Sequence, residues 1–206
     1  MHHELANMAG YLGSTFGVVM VVPQVARIAR HPRLPGVSAI SWSVTAIACL
    51  SWLIYGIRTN SPPQIPGNIL LVTGATLVVL MVPVSLARSR RALSLGGVAA
   101  VVVAASCALP AHMVGYLAFS IGLFSSLPQV AESIANYRTR TTSGVSMTTW
   151  LLRMASQFCW LAYAFGVLDL PVMISACVNI AGASTLIALE YAARTARPAA
   201  YPAPAG

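Results

Sequence analysis

The sequence predicts an all-α, polytopic membrane protein with seven transmembrane helices in a 3+1+3 arrangement of two parallel three-helix repeats. Three observations carry that reading. The 206 residues are 57% hydrophobic and 8% charged, far from the roughly 25% charged residues of an ordinary soluble domain. Seven apolar stretches lie at 9–26, 37–57, 63–86, 92–110, 112–131, 145–167 and 170–191, near the ~20 residues that cross a hydrocarbon core about 30 Å thick. The first three stretches also return, landmark by landmark, as the last three.

That recurrence fixes the organisation. Val22-Pro23-Gln24-Val25-Ala26 returns as Leu127-Pro128-Gln129-Val130-Ala131. At an offset of 105, Gly10, Tyr11, Leu12 and Gly17 become Gly115, Tyr116, Leu117 and Gly122. The offset then becomes 108: Gly36-Val37-Ser38 returns at 144–146, and Trp42, Trp52, Leu53, Tyr55 and Pro63 return as Trp150, Trp160, Leu161, Tyr163 and Pro171. A duplicated unit is the reading, and in membrane chains such units commonly hold a substrate site between them. The expected units are a first repeat at 9–87, a linker with helix four at 88–110, and a second repeat at 111–192. The Pro/Ala-rich residues 193–206 read as a disordered cytoplasmic tail.

Each element has its reason. The first span is no obvious cleaved signal peptide, because Met1 to Asn7 lacks a basic region and the span belongs to the repeat. Its Gly13-x-x-x-Gly17 suits close helix contact. Three helices end on the side opposite their start, so an immediate copy would be inverted. The Ala/Val-rich fourth span restores the direction. Cys49, Cys107, Cys159 and Cys177 lie in apolar spans without ligand spacing and read as small packing residues. No metal or other cofactor is implied.

Arginines give the orientation. Arg27, Arg30 and Arg33 follow span one, and Arg88, Arg90 and Arg91 follow span three. Arg138 and Arg140 follow span five, and Arg194 and Arg197 follow span seven, whereas the opposite side carries Arg58 alone. The positive-inside rule puts the N-terminus outside and the C-terminus in the cytoplasm of a cell at its plasma membrane. The net charge of +8 is therefore a topology signal within a lipid bilayer and not a nucleic-acid footprint.

The two Pro-Gln pairs, the paired Gly-Val-Ser openings, Trp52-Leu-Ile-Tyr55-Gly56, and Pro63 with Asn68 resemble the PQ-loop superfamily. Within it they look like the SWEET and SemiSWEET sugar transporters. The resemblance covers roughly 170 residues, counted as the repeats and the helix between them. It implies that Pro23, Gln24, Pro128 and Gln129 form hinges that gate the inner side. Independently, each proline removes a backbone N–H and frees the carbonyl of Val19 or Phe124, which predicts a kink in helices one and five.

The resemblance also places substrate contacts at Trp52, Asn68, Trp160 and Asn179. Depth agrees: Trp52 and Asn68 each lie five residues from the outer helix ends, about 8 Å deep. Trp160 and Asn179 match each other similarly. A carboxamide offers donors and an acceptor to sugar hydroxyls, and an indole offers a flat apolar face with a polar edge. Interhelical hydrogen bonding is the alternative for both Asn residues. Strict alignment sets Ala176, not Asn179, opposite Asn68. Trp42 and Trp150, near cytoplasmic ends, are expected as interfacial anchors.

Arg153 is the least expected residue, a charge about 12 Å inside helix six, where the first copy has Thr45. Either it snorkels to the cytoplasmic surface, with Glu132 as partner, or it joins Gln157 and Trp160 in an i, i+4, i+7 stripe lining an inner cavity. The stripe would favour an anionic group.

No nucleophile–base set, phosphate loop or His pair is present, so an enzyme is not expected. Without a single lysine, no retinal Schiff base can form. The leading expectation is a facilitative uniporter of a small polar solute, a mono- or disaccharide, working by alternating access. The alternatives are a proton-coupled exporter of amino acids or other small metabolites, or a non-transporting sorting receptor on the same fold, as the KDEL receptors are. Proton coupling commonly uses an intramembrane carboxylate, and Glu4, Glu132, Asp169 and Glu190 all lie near helix ends or outside. One chain carries both repeats, so a monomer suffices and a homo-oligomer stays open.

Overall fold

Long apolar runs bounded by Pro, Gly and polar residues form seven helices among the described residues. In the computed structural model these residues are 2–30, 39–81, 88–139 and 147–195. The helices are α1 (His2–Arg30), α2 (Ala39–Arg58), α3 (Gln64–Met81), α4 (Arg88–Ala108), α5 (Ala111–Thr139), α6 (Met147–Val167) and α7 (Leu170–Thr195). Helices α1 and α5 run well past the expected ends at 26 and 131. Pro23 and Pro128 lie inside these helices and do not end them. A freed carbonyl costs less where neighbouring helices or tilt can re-satisfy it. Helix α7 continues to Thr195, so the expected tail begins inside a helix, and residues 196–206 lie outside the described residues. The Gly-Val-Ser openings also lie outside them.

The turns between the second and third helices of the two repeats match at the offset of 108. Asn60 (φ 50) and Leu168 (φ 57) both adopt left-handed backbone. The next amide closes each helix, Ser61 N–H donating to Gly56 O at 2.8 Å and Asp169 N–H to Ala164 O at 3.0 Å, the bond that a helix C-terminus needs. Asparagine tolerates that φ through its short polar side chain, whereas an exposed leucine there carries backbone strain. Ser61 and Asp169 then start α3 and α7. Gln64 N–H donates to Ser61 O at 3.2 Å, and Val172 N–H donates to Asp169 Oδ1 at 3.2 Å. Pro63 and Pro171 stand at these starts, where a missing N–H costs nothing.

Packing follows the duplication. Within the first repeat α3 touches both α1 and α2, and within the second α7 touches both α5 and α6. The repeats meet along α1 against α6 and α2 against α5, pairs that the repeat register makes equivalent. Helix α4 lies against α2 and, more lightly, α3. The Arg58 guanidinium caps its end, donating to Ser106 O and, at 2.6 Å, to Leu109 O, as basic side chains do at helix C-termini.

Large apolar residues are exposed on every outer face, among them Val19, Leu70, Leu77, Val101, Phe124, Phe158 and Phe165. So many exposed large apolar side chains on several helices suit a lipid environment. Helices α3 (Gln64–Met81) and α7 (Leu170–Leu189) are long and apolar enough to cross a bilayer on length and mean hydropathy alone. Among the described residues, Trp42–Arg58, Ser94–Ala108 and Ala111–Phe124 form shorter apolar helical stretches. Trp150 departs from the interfacial role expected of it. It is buried with Ala183 and Leu186, against Val130, Met154 and Ile187, because α5 and α7 close over that face of α6.

Candidate functional site

A cavity of about 250 Å³ lies between the repeats. Every helix except α4 contributes to its lining. Trp52, Asn68, Trp160 and Asn179 all line it, as do Arg153 and Gln157. The stripe Arg153, Gln157, Trp160 therefore faces inward on α6. The expected hinge residues are Pro23, Gln24, Pro128 and Gln129. Their backbone belongs to α1 and α5, and their side chains lie outside the described residues, as does that of Glu132.

Small residues let the helices come this close. A Cβ on Gly13 would sit 3.1 Å from the Trp160 indole, and one on Gly67 would sit 2.5 Å from Ser14 Oγ. Gly17 is looser, with its nearest neighbour at 3.9 Å, so Gly13 is the tight half of the glycine pair. Two buried hydroxyls stitch the walls together. Ser14 Oγ donates to Pro63 O at 2.6 Å, and Ser156 Oγ donates to Gly13 O at 2.8 Å. Interhelical bonds of this kind contribute about 0.6 kcal/mol each in membranes.

The two asparagines are not equivalent. Asn68 is buried and spends one N–H on Gln64 O, four residues back, at 2.8 Å. Asn179 makes the same local bond to Ser175 O at 2.8 Å, and its Oδ1 accepts from Arg153 Nη2 at 3.2 Å. The repeat register pairs Asn68 with Ala176 and Asn179 with Leu71. Ala176 is buried away from the cavity, whereas Leu71 lines it. The asparagine thus sits near the start of α3 and three residues, nearly one turn, deeper on α7.

Arg153 turns into the cavity wall, with its guanidinium also 5.5 Å from the centre of the Trp150 ring, within cation–π range. Cys49, across the cavity on α2, is a free thiol lining the same space.

Gln64 escaped the sequence reading. It lines the cavity and is only 2% exposed, and its enclosed amide stands beside the Tyr163 hydroxyl, which pairs with Ser61 Oγ. The available signal was its position, directly after Pro63 on the first turn of α3, where the second repeat has Val172.

One end of the cavity is closed by a layer that the repeats build reciprocally. Tyr55 OH donates to Asp169 Oδ1 at 2.7 Å, and Tyr163 OH shares a hydrogen bond with Ser61 Oγ at 2.6 Å. Each tyrosine thus reaches the turn of the other repeat. A Cβ on Gly10 would sit 2.7 Å from the Pro63 ring and 3.0 Å from Tyr163. One on Gly115 would sit 2.6 Å from Pro171 and 3.0 Å from Tyr55. Ala6, Val114, Ala164 and Val172 fill the layer, and Trp52 and Trp160 pack beneath it. Each indole meets its tyrosine edge-on, with centroids 5.7 and 5.5 Å apart. Burial pushes the Asp169 carboxyl above the ordinary carboxylate range, while the Tyr55 hydroxyl and the Val172 N–H pull it back.

Among the described residues, no cluster of His, Cys, Asp and Glu could hold a metal ion. Among the described residues, the arrangement offers a small chamber with indole faces, amides and the Arg153 cation, closed at one end by breakable contacts.

Residues 111–173 match the PQ loop repeat family, from the start of α5 to the first turn of α7. Among solved structures the chain is similar to a eukaryotic SWEET transporter, at 13% identity and a TM-score of 0.76. The match covers 94% of this chain and 99% of that one. No curated protein matches the chain. The chain thus carries a PQ loop repeat and has the seven-helix, SWEET-like transmembrane fold.

Proposed function

We propose that this chain is a facilitative transporter of a small polar solute of monosaccharide size, working by alternating access. The single observation that carries the reading is the chamber between two repeats, closed at one end by contacts that each repeat donates to the other. Rocking the repeats apart would break Tyr55–Asp169 and Tyr163–Ser61 together and open that end. The SWEET-like fold supports transport as the activity. A volume of about 250 Å³ equals about eight waters at liquid density, which favours a monosaccharide over a disaccharide. Trp52 and Trp160 supply apolar faces for a ring, and Asn68 and Asn179 supply polar contacts.

In this reading the units are 9–87, 88–110 and 111–192, and Pro23, Gln24, Pro128 and Gln129 hinge the end opposite the tyrosines. The tyrosine layer faces the outside of a plasma membrane, with the N-terminus, because the arginine clusters mark the cytoplasmic side. One observation favours a second reading, proton-coupled export of amino acids or similar metabolites. Asp169 is a half-buried carboxyl held above its usual range at the closure.

Uptake of radiolabelled glucose into proteoliposomes, with and without a proton gradient, tests both. The expected result is flux that ignores the gradient and disappears in Asn68→Ala. Flux that follows the gradient would replace the first reading with the second, and solute binding without flux would point to a receptor.

A further inference from the structure

The helices that line the cavity close into a ring. Among the described residues, α1 packs on α6, α6 on α7, α7 on α5, α5 on α2, α2 on α3, and α3 back on α1. In that order α6 stands opposite α2, and α7 stands opposite α3. The chamber therefore has two facing walls, one from each repeat.

The walls match in position and differ in chemistry. Gln157, Ser175 and Asn179 line the cavity on the α6–α7 wall. Their counterparts at the offset of 108, Cys49, Gly67 and Leu71, line it on the α2–α3 wall. Three side chains that donate and accept hydrogen bonds thus stand opposite a thiol, a bare backbone and an isobutyl group. Arg153 belongs to the polar wall and is bonded there to Asn179 at 3.2 Å. The α2–α3 wall keeps the Asn68 amide, three residues nearer the tyrosine end than Leu71 and with one N–H spent on Gln64 O.

A neutral solute that fits between such walls is hydroxylated along one edge and apolar along the other. A hydroxyl pressed on the apolar wall loses water and gains no partner, whereas a methyl there gains burial. In a hexopyranose the second and third carbons lie across the ring from the fifth carbon and the ring oxygen. With the hydroxyls of the second and third carbons on the α6–α7 wall, the exocyclic carbon meets the α2–α3 wall.

From this opposition we propose that the cavity selects a 6-deoxyhexose, whose exocyclic group is a methyl, over the corresponding hexose. The methyl packs on Leu71 and Cys49, and the opposite hydroxyls bond to the polar wall, Gln157 foremost. The inference rests on the chamber being the solute site of the proposed transporter. It makes Leu71 the residue that sets specificity.

Calorimetric titration of the purified full chain with D-glucose and 6-deoxy-D-glucose tests it, since the two sugars differ by a single hydroxyl. The deoxy sugar should bind about tenfold more tightly. Leu71→Asn gives the first repeat the side chain that the second has at Asn179, and should bring the ratio close to one. Cys49→Ser, a nearly isosteric change on the same wall, should narrow it. Gln157→Leu should weaken both sugars and leave their ratio nearly unchanged. Equal affinities, or tighter binding of glucose, in the unaltered protein overturn the proposal without any variant. An unchanged preference in folded Leu71→Asn, checked by its thermal midpoint, overturns it as well. Should that variant not fold, an unchanged preference in Cys49→Ser does the same. Failure of the transport reading looks different: the deoxy sugar binds with preference, but neither sugar enters proteoliposomes. Binding of neither sugar overturns both.

Discussion

The closure layer and the chamber beneath it are built from the same two repeats, yet one is symmetric and the other is not. In the layer, Gly10 and Gly115, Pro63 and Pro171, Tyr55 and Tyr163 occupy equivalent places and make equivalent contacts. From there inward, Gln64 corresponds to Val172, Asn68 to Ala176, and Leu71 to Asn179. Thr45 corresponds to Arg153, and Cys49 to Gln157. Closure requires two bodies to meet on equal terms, so both copies keep the same geometry. Recognition requires one composite surface, so the copies divide the polar groups between them.

The symmetry of the layer breaks first under a methyl group. Gly10→Ala and Gly115→Ala each drive a Cβ to under 3 Å from a rigid proline ring. Each should cost about 1–3 kcal/mol, seen as a lowered thermal midpoint in detergent. Gly182→Ala, with nothing within 4 Å, should cost nothing. If only one of the first two variants is sensitive, the layer is not the reciprocal structure described.

The asymmetry of the chamber is sharpened by moving an amide. The double variant Asn68→Ala/Ala176→Asn should not restore flux lost in Asn68→Ala. Position 176 is buried outside the cavity, and an unpaired amide there should cost about 1–3 kcal/mol of stability. Recovery of flux would mean that the two third helices are interchangeable.

A smaller difference separates the tyrosines. Tyr55 donates to a carboxylate and Tyr163 pairs with a hydroxyl. Tyr55→Phe should therefore weaken closure by about 1.5–3 kcal/mol and Tyr163→Phe by about 0.5–1.5 kcal/mol. Alkylation of Cys49, with Cys107, Cys159 and Cys177 replaced by Ser, reads this as reagent access from the tyrosine side. Equal rates in the two variants would erase the distinction.

The smallest effect is the pH dependence that only the second repeat carries. Asp169 has its carboxyl pKa raised by burial in the folded protein. The folded state therefore holds the proton more tightly than the unfolded chain. Its contribution to stability is fully present below the unfolded value near 3.8 and is lost as pH rises through the folded value. The thermal midpoint should fall over that window on raising pH, and Asp169→Asn should flatten the dependence. An unchanged profile in that variant would assign the titration elsewhere.

Much of this was legible in the residues themselves. Apolar run length and the offsets of 105 and 108 depend only on local composition and order, so they give helices, register and depth. Register and depth together bring Trp52, Asn68, Trp160 and Asn179 to one level range. Contacts between repeats were not legible in the same way. Gln64 is enclosed by the Gly56 and Pro63 packing, and Trp150 by α5 and α7, and no spacing rule encodes either. The choice between a snorkelling and an inward Arg153 likewise turned on Asn179, 26 residues away and on another helix.

Arg58 gives the mechanics of this molecule an unequal partition. By holding the last turn of α4, it fastens the fourth helix to α2. The link from α4 to α5 is only Leu109 and Pro110. Any rocking therefore swings a lighter body of three helices on a frame of four. The two bodies are joined in the covalent chain by that two-residue link, at the Tyr55–Asp169 end of the molecule, so the link must give way when the end opposite the proposed proline hinges opens.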